Sequence, residues 1–178
     1  MAIVLTGSKA SGKTTVGKLL GAMLNMRVVE TDELTEEIYR RKYDSPNSCR
    51  EICARHGEPF FRTLEKQAVL EAVTCEGAII CTGGQTMMKK RCRDALSDYV
   101  TVVLLTVSFE VAWQRIVESG YPSYFPARNP KGWFYRRFKL FRQLVVEATD
   151  IECDVTDRTP AEAVDLVVDC LQTTERLS

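Results

Sequence analysis

Short, continuous runs of β-branched and aliphatic residues alternate along the chain with longer stretches of helical periodicity. Five runs predict strands, at residues 2–6, 27–31, 77–82, 99–106 and 151–156. The other stretches predict helices at 13–25, 33–42, 47–74 (two helices that meet near Gly57), 88–97, 108–119, 132–149 and 160–175. Because parallel strands need crossover helices and are covered on both faces, this order predicts an α/β fold, a three-layer α/β/α sandwich.

Length and charge narrow the classes of protein that this sequence can encode. The chain has 178 residues, 45% of them hydrophobic, which suits one ordinary domain, so we expect a single domain over 1–178. Its 24 Lys and Arg balance its 24 Asp and Glu, which argues against a general nucleic-acid or anionic-membrane binder. No apolar run approaches the roughly 20 residues that a membrane span needs.

Seven cysteines raise the alternatives of a disulfide scaffold and of a metal site. We expect reduced thiols in the cytoplasm, because the number is odd and the first strand runs directly into a Gly-rich loop with no signal peptide before it. Cys49 and Cys53, four residues apart, could place two metal ligands on one helical face. Packing is the favoured role, since no second Cys or His pair is spaced to complete a zinc site.

The stretch "GSKASGKTT" fits the spacing G-x-x-x-x-G-K-[ST] and lies between a predicted strand and a predicted helix. In that context backbone N–H groups wrap around a nucleotide β-phosphate, and the helix directs its positive N-terminal end at the anion. The lysine can span the β- and γ-phosphates, and the threonine hydroxyl can ligate Mg²⁺. The sequence therefore predicts a nucleotide site formed by Ala10, Ser11, Gly12, Lys13, Thr14 and Thr15.

Two carboxylates follow the second predicted strand. Glu30 and Asp32 point the same way because side chains alternate along a strand, and strand ends line the ligand crevice of a parallel sheet. One carboxylate can order the water shell of Mg²⁺, and the other can hold an acceptor hydroxyl and draw off its proton. A second role, compatible with the first, is that Asp32 caps a helix that begins at Glu33.

Further candidates lie in the middle of the chain. Arg62 and Glu65 are three residues apart on a predicted helix, either as a surface ion pair or as an arginine oriented toward a substrate carboxylate. His56, the only histidine, is expected to end a helix rather than to perform catalysis. Gly83 and Gly84 follow the third predicted strand, where bare backbone can approach a substrate.

The segment 119–133 is the least regular part of the sequence, with three prolines and two glycines between two predicted helices. A loop of this length inside a compact domain is usually functional or mobile. The aromatic and basic stretch 132–141 could be a base-stacking surface. The balanced charge of the chain favours an amphipathic helix whose aromatic side chains pack on the sheet.

The order of these motifs is more specific than any one of them. "GSKASGKTT", "ETD", "GEPFFRTLE", "CTGG" and "DRTP" followed by "VDLVVD" together resemble the shikimate kinases over nearly the whole chain. The resemblance implies a nucleoside-monophosphate-kinase-like fold, a monomer with a five-stranded parallel sheet in the order 2-3-1-4-5 and a mobile lid at about 119–133. It also implies transfer of the ATP γ-phosphate to the 3-hydroxyl of shikimate, with Mg²⁺.

The resemblance assigns roles to residues at the matching positions. Lys13 and Thr14 serve the phosphates and Mg²⁺, and Asp32 takes the acceptor hydroxyl. Arg62 grips the shikimate carboxylate, and Gly84 gives backbone contact to the substrate. These assignments predict that the ATP site and the acceptor site meet at the ends of the central strands.

Two arginines are assigned to the adenine of ATP by the same resemblance. Arg115, in "VAWQR", matches the family's adenine-stacking arginine, and Arg158, in "TDRTP", falls in its adenine-contacting loop. Two other positions depart from the family. Glu30 replaces the first acid of the D-x-D motif, a tolerable change for a water-mediated metal contact. Gln85 places a side chain where the family has its third glycine.

Two arginines of the family are displaced in this sequence. The lid motif R-P-L-L reads "YPSY", so Tyr121 stands near the place of an arginine that stabilises charge on the transferring phosphate, and Arg128 is the nearest substitute. In the motif R-x-P-L-Y-x-E-x-A, anchoring on Glu147 puts Phe141 at the arginine position and Arg142 one residue later. One residue turns a helical side chain by about 100°, so Arg142 binds the carboxylate only if the register slips.

The leading expectation is a shikimate kinase, or a close relative that phosphorylates another hydroxylated carboxylic acid. A gluconate-kinase-like or nucleotide-kinase-like enzyme with a changed acceptor pocket is the alternative within enzymes. A non-catalytic nucleotide-binding protein is the alternative from another class. Intact Lys13, Thr14 and Asp32 count against that last alternative, and the lost lid arginine counts for it.

Overall fold

The computed structural model describes residues 2–96, 100–122 and 124–177. The strands are β1 Ala2–Gly7, β2 Arg27–Glu30, β3 Ala78–Cys81, β4 Val100–Thr106 and β5 Ile151–Asp154. The α-helices are α1 Lys13–Leu24, α2 Thr31–Tyr43, α3 Cys49–His56, α4 Glu58–Val73, α5 Lys90–Leu96, α6 Phe109–Ser119, α7 Pro130–Val145 and α8 Pro160–Leu177. Short 3₁₀ helices lie at Thr86–Met88 and Val146–Ala148.

The strands form one parallel sheet in the order β2-β3-β1-β4-β5, which confirms the expected fold class and strand order. The central strand is β1, in which Leu5 pairs with Cys81 of β3. Ile3 and Leu5 join one apolar core, whereas Ala2 and Val4 join the other, because successive side chains of a strand point to opposite faces. Helices cover both faces of the sheet.

The two apolar cores are formed with different helices. Helices α1, α6 and α8 pack on the face that contains Leu5, and α4 and α5 pack on the opposite face. Helix α7 contributes Phe134 to the first core and Phe141 to the second, so its apolar side chains join both layers. This packing supports the interpretation of the aromatic stretch 132–141 as an amphipathic helix.

The ends of two helices bear on the site. Helix α2 begins at Thr31, after the extended residue Glu30, and no side chain caps it. Asp32 therefore lies within the first turn, and the predicted cap of a helix from Glu33 is wrong. Helices α3 and α4 meet at Gly57, as predicted, where φ is 83°.

Helix α7 begins at Pro130, two residues before the predicted start. The Asn129 side chain accepts a hydrogen bond of 3.0 Å from the backbone N–H of Gly132, and proline suits the first turn of a helix. This cap fixes where the irregular segment before α7 ends. The predicted α5 and fourth strand extend to residues 97 and 99, which lie outside the described residues.

Other expectations concern cysteines, histidine and membranes. All seven cysteines are free thiols, and the Cys49 Sγ lies 3.3 Å from the Asp32 carbonyl oxygen. The described residues contain no group of three or more His, Cys, Asp and Glu placed to hold a metal ion. His56 ends α3, and its Nε2 lies 2.9 Å from the Tyr39 hydroxyl. None of the helices in the described ranges has both the length and the apolar character to cross a membrane.

Candidate active site

The phosphate-binding motif forms the connection between β1 and α1. Ala10, with φ 67°, and Gly12, with φ 92°, are left-handed, which turns the chain sharply before the helix. Gly12 precedes the first residue of α1, and no side chain caps this helix end. The first N–H groups of α1 therefore remain available to an anion. The side chains of Thr14 and Thr15 are exposed on this first turn.

Lys13 is buried inside the motif. Its Nζ donates hydrogen bonds of 2.9 Å to the carbonyl oxygens of Gly7 and Ser8, and it lies 3.4 Å from the Ser11 Oγ. Burial lowers the pKa of Lys13 to about 8, an effect that the nearby Asp32 carboxylate opposes. Because an ammonium is attracted more strongly to an anionic oxygen than to a neutral carbonyl oxygen, a phosphate is a better partner for this ammonium.

Glu30, at the end of β2, lies beside the first turn of α1. Burial raises the pKa of Glu30, while a hydrogen bond with the Thr14 side chain lowers it. The Oε1 atom of Glu30 is buried and has no hydrogen-bond partner among the described residues. Mg²⁺ keeps several waters and takes few protein ligands, so an unpartnered carboxylate oxygen beside a hydroxyl suits it. These two residues therefore fit the metal that the phosphate-binding motif implies.

Asp32 reaches the open cleft, but protein groups crowd its carboxylate. Burial raises the pKa of Asp32, repulsion from Glu65 raises it further, and the Lys13 ammonium opposes both effects. Gly83 packs so closely that an added Cβ would collide with the Asp32 Oδ1. The N–H of Gly83 also donates to the Thr31 Oγ1 at 2.9 Å, which ties the loop after β3 to the start of α2.

Arg62, on α4, is held by two carboxylates of the same helix. Its Nη1 lies 2.7 Å from the Oε2 of buried Glu65, and its Nη2 lies 2.9 Å from the Oε1 of Glu58. Burial alone would lower the pKa of Arg62, but these hydrogen bonds and charges raise it. The Nη2 also lies 3.4 Å from the Gln85 Oε1. The predicted pair with Glu65 thus orients the guanidinium toward the loop after β3.

A second arginine reaches the same amide oxygen. The Nη2 of Arg137 donates to the Gln85 Oε1 at 2.7 Å, and the Arg137 Cζ lies 5.0 Å from the centroid of the Trp133 ring. Arg142 instead forms an ion pair of 2.7 Å with Glu152 of β5 and is exposed. In this structure Arg142 therefore does not contact Gln85 or either arginine beside it, which lie together on the expected acceptor side.

The sequence analysis does not name Arg137, because it anchors the second arginine motif on Glu147. With Arg137 as the arginine of R-x-P-L-Y, Leu140 and Phe141 fall at the leucine and aromatic positions. The anchor on Glu147 moved the motif by four residues, about one helical turn. The spacing of Arg, Leu and an aromatic residue was thus the signal that identifies Arg137.

The two arginines expected at the adenine differ in the residues that they contact. Arg115, on α6, donates from Nη1 to the carbonyl oxygen of Ala10 at 3.0 Å, so it is attached directly to the motif. Arg158 is exposed in the connection between β5 and α8, where its Nε lies 3.3 Å from the Asp154 carbonyl oxygen. The contact with Ala10 therefore places Arg115 beside the phosphate-binding motif, and the role of Arg158 at the adenine stays a prediction.

The connection between α6 and α7 is held by contacts between aromatic rings. The ring centroids of Tyr121 and Trp113 are 5.5 Å apart, and those of Phe125 and Trp133 are 4.9 Å apart. Tyr121, which stands where the family has its lid arginine, therefore packs on α6. In this conformation the Tyr121 side chain packs the connection against α6. As a tyrosine it supplies no positive charge for a phosphate.

Two other residues of this connection differ in their surroundings. Burial raises the pKa of Tyr124, and the charges of Arg137 and Asp32 also act on its hydroxyl, which places Tyr124 near the acceptor side of the cleft. Arg128 is exposed, and among the described residues it forms no hydrogen bond or ion pair. The structure therefore does not bring Arg128 into contact with the other predicted site residues.

The predicted nucleotide and acceptor sites adjoin each other. An added Cβ at Gly84 would lie 3.8 Å from the backbone of Lys9, so the loop after β3 touches the phosphate-binding motif. The charges of Asp32 and Lys13 act on each other across this junction. A nucleotide-phosphate site that faces an acid and a pair of arginines is the arrangement expected of a P-loop kinase for a small acidic acceptor.

Comparison with known proteins identifies the family. The sequence profile described as "Shikimate kinase" matches residues 9–172. The shikimate kinase of Caldanaerobacter subterraneus subsp. tengcongensis is 31% identical over 172 residues, which cover 93% of this chain and 93% of that protein. The chain therefore belongs to the shikimate kinase family.

Solved structures agree with this assignment. The shikimate kinase from Acinetobacter baumannii in complex with shikimate superposes with a TM-score of 0.83 and 25% identity, covering 99% of this chain and 94% of that one. A gluconokinase from Sinorhizobium meliloti, which covers 99% of this chain and 94% of that one, has a TM-score of 0.56 and 18% identity. The second likeness shows the fold alone.

Proposed function

We propose that this protein is a shikimate kinase that transfers the γ-phosphoryl group of ATP to the 3-hydroxyl of shikimate. The observation that carries the proposal is the convergence of Arg62 and Arg137 on one oxygen atom of Gln85, next to the loop that packs on Asp32. Two guanidinium groups that face one point form a fork for a carboxylate. The acceptor hydroxyl then lies on the side of the cleft where Asp32 meets the phosphate-binding motif.

The nucleotide half of the reaction uses the first turn of α1. Backbone N–H groups from Ala10 to Thr15 bind the β-phosphate, and the Lys13 ammonium leaves its carbonyl partners for the phosphates. Thr14 and Glu30 would hold Mg²⁺, Glu30 through water, and the bound metal would neutralise phosphate charge. Arg115 and Arg158 enclose the adenine.

Asp32 acts on the acceptor hydroxyl. Its carboxylate accepts a hydrogen bond from the hydroxyl and orients it in line with the γ-phosphate. It takes the hydroxyl proton as the new O–P bond forms and the bond from the γ-phosphorus to the bridging oxygen breaks, which releases ADP. A raised pKa suits this role, because a carboxylate that binds a proton more readily is a stronger base. The absence of a side chain at Gly83 leaves room for this carboxylate, because an added Cβ would collide with the Asp32 Oδ1.

The segment 119–133 serves as the lid of a single domain that spans 1–178. Both substrates draw it over the cleft, which excludes water that would otherwise hydrolyse ATP. Closure brings Arg128 to the transferring phosphate in place of the family's lid arginine. The protein acts as a monomer in the cytoplasm, without nucleic-acid partners.

Measurement of ADP release with ATP, Mg²⁺ and increasing shikimate tests the proposal, with gluconate as the comparison acceptor. Saturable, shikimate-dependent turnover is expected, and gluconate should give none. ATP binding without stimulation by either acceptor would instead favour a non-catalytic nucleotide-binding protein. Turnover with gluconate alone would favour the alternative kinase.

A matched pair of variants tests the acceptor fork. Arg137→Ala should raise the KM for shikimate about tenfold or more, because it removes a charge-assisted hydrogen bond of roughly 1.5–3 kcal/mol. Arg136→Ala removes the same charge from an exposed neighbour on α7 and should leave this KM unchanged. An equal response of the two variants would reject the assignment of Arg137.

A further inference from the structure

Gln85 occupies the point at which the two acceptor arginines meet. Its Oε1 accepts hydrogen bonds from the Nη2 of Arg137 at 2.7 Å and from the Nη2 of Arg62 at 3.4 Å. The side chain is half-buried, and its backbone, with φ −124° and ψ −7°, precedes a short 3₁₀ helix. One amide oxygen between two guanidinium groups stands where one oxygen of a bound carboxylate would be.

The two arginines around this oxygen differ in how far nearby carboxylates compensate their positive charge. Arg62 has two carboxylate partners, Glu58 and Glu65, at 2.9 and 2.7 Å. Among the described residues Arg137 donates its hydrogen bond to the neutral amide of Gln85, and its guanidinium lies over a tryptophan ring. The charge of Glu58 also acts on Arg137, but without an ion pair between the two side chains. Because an ionised acceptor binds a guanidinium more strongly than an amide does, the site favours exchange of the Gln85 oxygen for a carboxylate.

The amide and a carboxylate cannot both occupy this point. We propose that Gln85 is an internal placeholder for the acceptor carboxylate, held by Arg62 and Arg137 until the acceptor displaces it. The backbone dihedral angles of Gln85 are accessible to any residue, so the backbone does not have to change when the side chain moves. Rotation about the side-chain bonds is enough to move the Gln85 amide away from the two arginines. The inference rests on the proposed function, because it concerns the acceptor site of that reaction.

A placeholder acts on acceptor affinity and leaves the chemical step alone. Displacement breaks two hydrogen bonds before the acceptor forms its own, which weakens binding of any carboxylate at this point. Gln85→Gly and Gln85→Ala remove the competing oxygen and should bind shikimate more tightly by about tenfold or more, the range expected for one hydrogen bond from a charged donor. Gln85→Glu puts a fixed carboxylate between the arginines and should weaken binding at least about tenfold.

The experiment combines binding and turnover. Dissociation constants for shikimate are measured by calorimetry in the presence of ADP and Mg²⁺ for the wild type and for the Gly, Ala and Glu variants at position 85. Steady-state kinetics on the same proteins separate KM from kcat. Gln143→Ala, which alters an exposed glutamine of α7, is the matched control, and its constants should equal those of the wild type. The methyl ester of shikimate tests whether the effect requires a carboxylate.

Tryptophan fluorescence reports on the arginine itself. Arg137 lies over the Trp133 ring, and the chain has one other tryptophan, Trp113, which a Trp113→Phe background removes. In that background, binding of shikimate should change the fluorescence emission of Trp133, because Arg137 exchanges the Gln85 amide for the shikimate carboxylate. The Gln85→Ala variant should show the change at a lower shikimate concentration than the wild type.

The outcomes separate this inference from the proposed function. Tighter binding in the Gly and Ala variants, a lower KM and a kcat within about twofold of the wild type support the placeholder. If the wild type binds and turns over shikimate but the Ala variant binds equally or more weakly, the placeholder is overturned and the proposed function stands. A third outcome is that the wild type neither binds nor turns over shikimate. In that case, binding of shikimate by the Gly variant supports the placeholder. If neither protein binds shikimate, both proposals are rejected.

Discussion

The carboxylate of Asp32 combines access to the cleft with a crowded environment, and burial followed by repulsion from Glu65 raises its pKa. Asp32→Asn keeps the size of the side chain and removes the base. We expect kcat to fall about 10²–10⁴-fold, the usual contribution of a general base, while the Kd for ATP stays near the wild-type value. Glu33→Gln, an exposed neutralisation on the same helix turn, is the control and should retain activity.

The direction of the Asp32 pKa gives a second measurement of the same role. A base with a raised pKa gains its proton at higher pH than an ordinary aspartate, so kcat should fall as pH falls through a value above the usual range for Asp. The Asn variant should lack this acid limb. An equal loss of ATP affinity in that variant would place Asp32 in the nucleotide site instead.

Lys13 supplies a prediction in the alkaline range. Burial lowers its pKa to about 8, so it loses its proton as pH rises through that value, whereas bound phosphates favour the protonated form and raise the pKa. The affinity for ATP with Mg²⁺ should therefore be constant below about pH 8 and fall above it, by at most tenfold per pH unit.

Calorimetric titrations with ATP at several pH values would reveal this dependence. Lys13→Arg keeps the positive charge throughout the range, so its affinity, though weaker, should show no such fall. A flat wild-type profile up to about pH 9.5 would mean that the ammonium does not titrate in this range.

The site residues differ in how far the sequence could determine them. Lys13 and Asp32 belong to short motifs that come directly after strands. A shift of one residue in the alignment would have broken the match to these motifs. The assignment of Arg142 depended on the phase of a helix that carries several arginines, and each residue turns the side chain by about 100°. The contact of Gln85 with two arginines joins α4, α7 and the loop after β3, a tertiary relation that no local pattern contains.

At the level of elements, the buried strands were predictable because their continuous apolar runs serve two cores at once. The boundary between α3 and α4 was also predictable, since Gly57 takes a positive φ that interrupts a helix. The start of α2 was not, because Glu30 precedes the helix without a side-chain cap. Packing of the strand ends, rather than a cap, places Asp32 in the first helical turn.

The loop after β3 and the start of α2 fit together without spare space. In Gly83→Ala the new Cβ would collide with the Asp32 Oδ1 and lie 2.9 Å from the Thr86 Oγ1. We expect kcat/KM to fall about 10²-fold, because small displacements of catalytic groups have effects of this size. The double variant with Asp32→Asn should be no slower than Asp32→Asn alone, since both changes act on one carboxylate. Additive losses would mean that Gly83 acts independently of Asp32.

At the scale of the whole molecule, the segment that connects α6 to α7 is the lid proposed to close over the two substrate sites. Tyr121 stacks on Trp113 of α6, and Phe125 packs at a tilt against Trp133 of α7, so aromatic packing holds the segment at both ends. Arg128, toward its end, is exposed and has no polar partner among the described residues. Ordering such a segment reduces its conformational entropy, so closure needs new contacts with ligands.

Hydrogen exchange of the peptide that covers 119–133 tests this closure. Exchange should slow most when ADP, Mg²⁺ and shikimate are bound together, and less with either ligand alone, because each substrate supplies only part of the contacts. Peptides from α8, which packs on the far side of α1, should be unaffected and act as the internal reference. Arg128→Ala should reduce both this protection and kcat if its guanidinium reaches the phosphates on closure. Protection by ADP alone equal to that of the complete set would show that the segment responds to the nucleotide and does not join the two sites.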